Sequence, residues 1–278
     1  LLVILFSLKG KTMQFNTINL IREHQPLVYC MTNLVVANYT ANGLLALGAS
    51  PLMSLNPAEA AEIPRFAQAL LLNIGTLNGS DVEAMSLAGQ SANQVGIPVV
   101  LDPVGVGATQ CRRAAVQRLL AEVQFALIRG NAGEIATLAG IDWQAKGVDA
   151  GCGEADPVLA AKRVAERYRC VVALSGATDV ISDGVQVAKI TNGTPLLPRV
   201  TGSGCLLGAV CAAFAGVVEK TDYFQACVEA CTLYAVAGEL AAAGLLPTQT
   251  GSFCTALLDQ LAAVSAQQVC QRAEVSYV

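Results

Sequence analysis

The chain has 278 residues, 54% hydrophobic and only 14% charged, with a formal net charge of −4. An average soluble chain has about 25% charged residues, so this one holds ample apolar surface to offset ordering entropy and is not intrinsically disordered. A pI near 5.1 leaves no basic stripe for nucleic acid, and the longest apolar run in the body of the chain, Cys205 to Val218, has 14 residues, short of the roughly 18 that a membrane span needs.

The elements begin after a segment that stands apart. Leu1 to Leu8 is apolar but lacks a basic flank and a small-residue cleavage site, so it makes a poor secretory signal. Residues 1–12 are therefore set aside as a cloning or upstream remnant, with Met13 as a natural start and 13–278 as a single domain. Gly10-Lys11-Thr12 has the ending of a phosphate-binding GxxxxGK[ST] loop. Leu5 stands where its first glycine belongs, and the reading is rejected.

From about Asn19 onward, short apolar runs alternate with helical stretches. Strands are expected at Leu27–Met31, Ala49–Ser54, Ala69–Asn73, Val99–Leu101, Phe125–Ile128, Val171–Leu174, Val180–Ser182 and Val185–Ile190. They are continuous apolar runs, as in strands buried on both faces. Helices are expected at Ala37–Leu47, Ser80–Ala92, Ala114–Val123, Ala132–Leu138 and Pro157–Tyr168. This alternation predicts an α/β fold with a mostly parallel sheet and helices on both faces. A hairpin is expected around Ser182-Asp183-Gly184, and the part from Gly202 onward reads as nearly all helix. The mean hydropathy of +0.51 then reflects a doubly covered sheet and spare apolar surface for another subunit.

The ten cysteines are scattered in Ala/Val/Leu surroundings, none in CxxC spacing, and His24 is the single histidine. No disulfide framework or Cys/His zinc set is implied. They read as small buried hydrophobes in a reducing cytoplasm.

A doubly wound sheet places its chemistry at the carboxyl ends of its strands. Val200-Thr201-Gly202-Ser203-Gly204-Cys205 runs straight into an apolar helix. Glycines there let backbone amides converge with a positive helix end, an anion site, although a plain tight turn fits as well. Cys205 at the first helical turn is expected to have a lowered pKa and to serve as base, nucleophile or packing. Asp102 ends a strand before Pro103-Val104-Gly105, and Arg129 ends another before Gly130-Asn131, with Glu134 in the next helical turn. An Arg near phosphates and carboxylates able to hold Mg²⁺ through water are parts of phosphoryl transfer. Equally, Asn131 with Glu134 makes a capping box. Ser175 follows a strand at the same edge, while Asn33, Met31, Val35 and Met53 could line a polar-tipped apolar pocket.

Taken together, Met31-Thr32-Asn33, Thr40 to Pro51, Asn73-Ile74-Gly75-Thr76-Leu77, Leu101 to Gly105, Ile128 to Asn131, Gly147-Val148-Asp149, Thr201 to Cys205 and Gly251-Ser252-Phe253 resemble the hydroxyethylthiazole kinase family of the ribokinase-like superfamily. The resemblance covers about residues 26–262. It implies ATP- and Mg²⁺-dependent phosphorylation of 4-methyl-5-(2-hydroxyethyl)thiazole, a salvage step toward thiamine. It also implies a cytoplasmic homotrimer with the substrate pocket near a subunit boundary. Carried over, Met53 and Gly202 contact the thiazole alcohol, with Asn33 and Val35 lining its pocket. Arg129 and Ser175 contact ATP, and Asp102 and Glu134 lie near Mg²⁺. Gly202, Ser203, Gly204 and Cys205 form the catalytic loop, Cys205 standing where ribokinase-like enzymes usually carry an Asp. Ser175 replaces the Thr of some relatives. Other readings are a hydroxymethylpyrimidine kinase, an ATP-dependent hydrate dehydratase, both usually with that Asp, or a silent thiazole- or thiamine-binding protein.

Overall fold

The computed structural model describes residues 15–141 and 156–278, with the backbone of the short strands Ser7–Leu8, Lys11–Thr12, Gln144–Lys146 and Asp149–Cys152. The apolar start at residues 1–6, Gly10, Met13 and the Gly147-Val148 pair lie outside the described residues.

Among the described residues, the apolar runs of the sequence become the strands of a nine-stranded sheet. These are β1 (Leu27–Met31), β2 (Ser50–Met53), β3 (Ala69–Asn73), β4 (Val99–Asp102), β5 (Leu127–Asn131), β6 (Val171–Ser175), β7 (Asp179–Ser182), β8 (Val187–Ile190) and β9 (Val275–Tyr277). Their spatial order is β9-β8-β7-β6-β5-β4-β3-β1-β2. The portion from β2 to β6 is parallel, and β6 to β9 pair antiparallel. Pro51, which has no amide to donate, sits in β2 at the sheet's edge, where a missing ladder bond is tolerated.

The helices are α1 (Thr17–His24), α2 (Ala37–Leu47), α3 (Asp81–Val95), α4 (Gln110–Glu122), α5 (Ala132–Leu138), α6 (Pro157–Tyr168), α7 (Ser203–Ala215), α8 (Tyr223–Ala242), α9 (Thr250–Ala263) and α10 (Ala266–Arg272). Side chains alternate across the central strands, so two cores form back to back. Val28, Cys30, Ala69, Leu71 and Val100 join the residues of α7, α8 and α9 on one face. Tyr29, Leu70, Leu72, Val99 and Leu101 join those of α3, α4 and α6 on the other. Helix α7 is buried nearly all round, which explains its uninterrupted apolar sequence. No helix of the described residues is long and apolar enough to cross a membrane.

The fold is the expected α/β architecture with a helical carboxyl part, and the hairpin across Asp183-Gly184 is present between β7 and β8. Three local differences have clear causes. Helix α4 starts at Gln110 rather than Ala114, because the Thr109 hydroxyl accepts the Arg112 amide and caps it earlier. Helix α1 adds an amphipathic turn pair before β1. The chain's last strand, β9, interrupts the all-helical reading. It is only three residues long and pairs with β8, which no local pattern announces.

Candidate active site

Five parallel strands end along one rim, and each delivers a polar residue there. Asn33 follows β1, Asn73 closes β3, Asp102 closes β4, Arg129 lies in β5 and Ser175 closes β6. The register sets Asn73 beside Asp102 and Ser175 beside Asn131. Helix α7 meets this row with its amino end.

That end is built by two glycines with different reasons. Gly202, the N-cap, has φ of 91°, a left-handed conformation that favours glycine, and a Cβ there would come within 2.7 Å of Val36. Gly204 lies against Arg129, whose Nη1 would be 2.7 Å from an added Cβ. The guanidinium thus packs directly under the first turn of α7. Gly202 has no side chain to cap the helix. The Ser203 amide donates to the Val200 carbonyl at 3.2 Å, while the Gly204 and Cys205 amides have no acceptor among the described residues. The Thr201 and Gly202 amides likewise have none, so only the Ser203 amide of this loop is spent within the described residues and the others are available to an anion. The Ser203 hydroxyl faces away, donating to the Leu197 carbonyl at 2.7 Å, and Tyr234 Oη donates to the Ser203 carbonyl at 2.7 Å. These bonds fix the turn.

A buried polar chain runs beneath it. Asn33 Nδ2 donates to Asn73 Oδ1 at 2.9 Å and approaches Cys205 Sγ at 3.5 Å. Asn73 Nδ2 donates to Asp102 Oδ2 at 2.7 Å. Arg129 Nη1 lies 3.9 Å from Asp102 Oδ1, and its Nη2 donates to Ser175 Oγ at 2.6 Å. Asp102 Oδ1 and Arg129 Nε are both buried without a hydrogen-bond partner among the described residues. Such orphaned groups are costly in a native interior and mark a place built for something more than packing.

The electrostatics follow from this burial. Burial pushes the Asp102 carboxyl up to about 7, against the pull of Arg129 and with Glu134 adding to it. Burial also raises Glu134, opposed by Arg129 and by backbone amides. Burial alone would lower Arg129, yet Asp102 and Glu134 around it leave it raised and firmly charged.

Cys205 departs from its expected chemistry. Burial, with the Asp102 carboxyl nearby, pushes its thiol up to about 12. Desolvation and a like charge outweigh the Arg129 charge and the hydrogen bonds of Asn73 and Asn33, which favour a thiolate. At neutral pH this group is a thiol.

Glu134 realises the capping reading made of it. Its Oε2 accepts the Asn131 amide at 2.7 Å and Asn131 Oδ1 accepts the Glu134 amide at 3.0 Å, a complete capping box. Its Oε1 accepts the Gly105 amide at 2.8 Å and so holds the loop after β4. Val35 is 68% exposed and Leu34 72% exposed, while the neighbouring Val36 is the residue that packs on Gly202. Met53 ends edge strand β2 and is half-buried against the α7 side of the core.

Three residues join the rim that the sequence reading gave no role. Asn73 links the Asn33 and Asp102 ends of the polar chain. The signal was a polar residue ending an apolar strand, as Asp102 does. Asp179 accepts the Gly176 amide at 2.9 Å, and burial pushes its carboxyl up to about 6. Arg112 donates to the carbonyls of Ile74, Val104 and Gly75 at 2.8, 2.7 and 2.7 Å, clamping the loops after β3 and β4.

Comparison with known proteins bears on this arrangement. The model of the hydroxyethylthiazole kinase family matches residues 18–267. The hydroxyethylthiazole kinase of Actinobacillus succinogenes is 61% identical over 265 residues, covering 95% of this chain and 98% of its own. A solved hydroxyethylthiazole kinase structure from Pyrococcus horikoshii OT3 superposes with a TM-score of 0.85 at 36% identity, covering 95% of this chain and 98% of that one. A ribokinase-like superfamily protein from Enterococcus faecalis shares the fold with a TM-score of 0.58 at 11% identity.

Proposed function

This chain belongs to the hydroxyethylthiazole kinase family, and from that premise we propose that its rim transfers the terminal phosphate of ATP to the side-arm hydroxyl of 4-methyl-5-(2-hydroxyethyl)thiazole, a step that feeds thiamine salvage. The fold is ribokinase-like, and the chain is a kinase of this family. The observation that carries the proposal is the stacking of Arg129 under the uncapped amides of Gly204 and Cys205, beside the orphaned Asp102 oxygen.

Phosphoryl transfer needs positioning and charge stabilisation more than covalent help. The Gly204 and Cys205 amides and the dipole of α7 stabilise charge spreading over the equatorial oxygens of the transferred group. Arg129 contributes a fixed positive charge from below, and Ser175 holds its guanidinium in place. Cys205, as a thiol, orients the alcohol by hydrogen bonding together with Asn33 and does not act as nucleophile. Gly202 and Val36, packed together, line the side from which a small heteroaromatic would enter, and Met53 at the end of β2 is assigned to the same pocket by the family resemblance.

The residues fit a divalent cation. Asp102 keeps one buried carboxylate oxygen that accepts no hydrogen bond, as an oxygen-seeking ion requires. Both oxygens of Glu134 already accept backbone amides, so Glu134 acts through the Gly105 loop or through water. Mg²⁺ bound there would neutralise charge on the nucleotide phosphates. The exposed Leu34 and Val35 beside Asn33 suit a subunit boundary next to the pocket; the family resemblance makes that assembly a homotrimer, and light scattering would give the stoichiometry.

The test is ADP release from ATP and Mg²⁺ with the thiazole alcohol, compared with hydroxymethylpyrimidine. Turnover of the thiazole alcohol alone supports the proposal. Turnover of the pyrimidine alcohol instead, or nucleotide binding without ADP release, refutes it.

A further inference from the structure

Away from the rim, helices α7 and α8 bring three thiols face to face. Cys211 lies in the interior of α7. Cys227 and Cys231 sit on α8 at i and i+4 and so share one face of it. The three sulfurs all lie within 4.8 Å of one another. Each residue is buried, at 1%, 1% and 2% exposure, in the apolar core that α7 and α8 form against the sheet. One buried cysteine is packing; three converging sulfurs form a ligand set.

We propose that this cluster is a binding site for a trivalent, thiophilic metalloid of the arsenite class, held between α7 and α8 as a neutral tris-thiolate. Two features of the site select that class. The first is donor number. The group holds three sulfurs and no fourth ligand among the described residues. A structural zinc ion calls for four, and the chain's only histidine, His24, is exposed at the far end of α1. Soft thiolates without nitrogen or oxygen partners favour soft centres of low coordination. The second feature is charge. The surroundings are apolar, and burying net charge there is expensive. A monovalent ion on three thiolates leaves a surplus of negative charge, a divalent ion leaves less, and a trivalent centre leaves none.

The exchange balances without an oxidant. Three arsenic–oxygen bonds of As(OH)₃ and three S–H bonds break, three arsenic–sulfur bonds form, and each thiol proton leaves with a hydroxide as water. Arsenic and sulfur keep their oxidation states. Entry requires α7 and α8 to part locally, so uptake is slow and speeds with warming.

The full chain, reduced with a phosphine and incubated with sodium arsenite, should gain the mass of one arsenic atom less three hydrogens in native mass spectrometry. Arsenic-edge absorption should show three sulfur neighbours and no oxygen. Cys211→Ala, Cys227→Ala and Cys231→Ala should each weaken retention by roughly a hundredfold, since one arm of a chelate is lost. Cys111→Ser, at an exposed site, should leave it unchanged. A measurement on the unmutated chain guards against misfolded variants: under conditions where the amides of α7 and α8 exchange, loading should slow alkylation of Cys211, Cys227 and Cys231 and leave that of the other buried thiols, Cys30 and Cys170, unchanged. Arsenic bound through oxygen or through other cysteines overturns the proposal. So does no uptake under conditions where the amides of α7 and α8 exchange, which would leave the three as packing. None of these readouts uses turnover, so the result is independent of the phosphotransfer reading.

Discussion

The same parallel strands have two ends, and the two are built on opposite terms. At their amino ends neutral side-chain amides make satisfied pairs with the backbone. Asn93 Nδ2 donates to the Gln124 carbonyl at 2.8 Å while the Gln124 amide donates back to Asn93 Oδ1 at 2.7 Å. Likewise the Leu27 amide donates to Gln68 Oε1 at 2.7 Å. At their carboxyl ends buried charged groups stand among the neutral ones with hydrogen bonds unmade: Asp102 with an oxygen that accepts none, Arg129 with an Nε that donates none, and two helix amides with no cap. A chain that can satisfy one end with simple amides has the means to satisfy the other. Leaving it strained is therefore the signature of function, at a cost in stability.

The sharpest way to erase the contrast is Arg129→Ala. It removes the charge beneath Gly204 and leaves Asp102 without its counter-ion. Steady-state kinetics should show kcat/KM for ATP falling by roughly a thousandfold, with nucleotide affinity carrying most of the loss. Unchanged ATP affinity would remove Arg129 from the site.

Asp102→Asn should separate stability from activity. The substitution keeps the shape and relieves a buried charge, so Tm at neutral pH should rise by several degrees while kcat falls about a hundredfold. A variant that loses both would make Asp102 a structural residue.

The same logic fixes a pH dependence for the ligand-free protein. Asp102 and Asp179 have folded-state pKa values raised from 3.8 to about 7 and about 6. Between the unfolded and folded values the native state binds more protons than the unfolded one, so stability falls as pH rises through that window. Below the unfolded value both states are protonated and the cost is absent; above about 7 it is complete, on the order of a few kcal/mol. Thermal melts should therefore drop from pH 5 to pH 8, and Asp102→Asn should flatten the trend.

Cys205→Ser should cost less, about a tenfold loss in kcat, because a thiol that only orients the alcohol is partly replaced by a hydroxyl. The pH–rate profile should show no ionisation assignable to Cys205 near neutrality. At the other end, Asn93→Ala should lower stability by about 1 kcal/mol and leave kcat unchanged, since only paired backbone contacts are lost.

What the sequence disclosed follows the same division. Ala69–Asn73 and Val99–Leu101 were legible because apolar runs announce doubly buried strands, and Asp102 just past the second announced the rim. Short β9 was not, since its partner lies far away in the chain. The rim's parts were legible singly, Asp102, Arg129 and Gly204 each at a strand or helix junction. Their coupling was not. Cys205 reads as a thiolate from its place on α7, and only the fold brings Asp102 and a buried environment to it. Asn73 gained its role only when pairing placed it between Asn33 and Asp102.

The amides themselves give the plainest trial. In ¹⁵N-resolved spectra of the full chain, a non-hydrolysable ATP analogue with Mg²⁺ and the thiazole alcohol should shift the Gly204 and Cys205 resonances strongly and leave Asn93 and Gln124 in place. Unmoved Gly204 and Cys205 signals, with the ligand-induced shifts instead at the amino ends of the strands, would contradict a phosphate site at the start of α7.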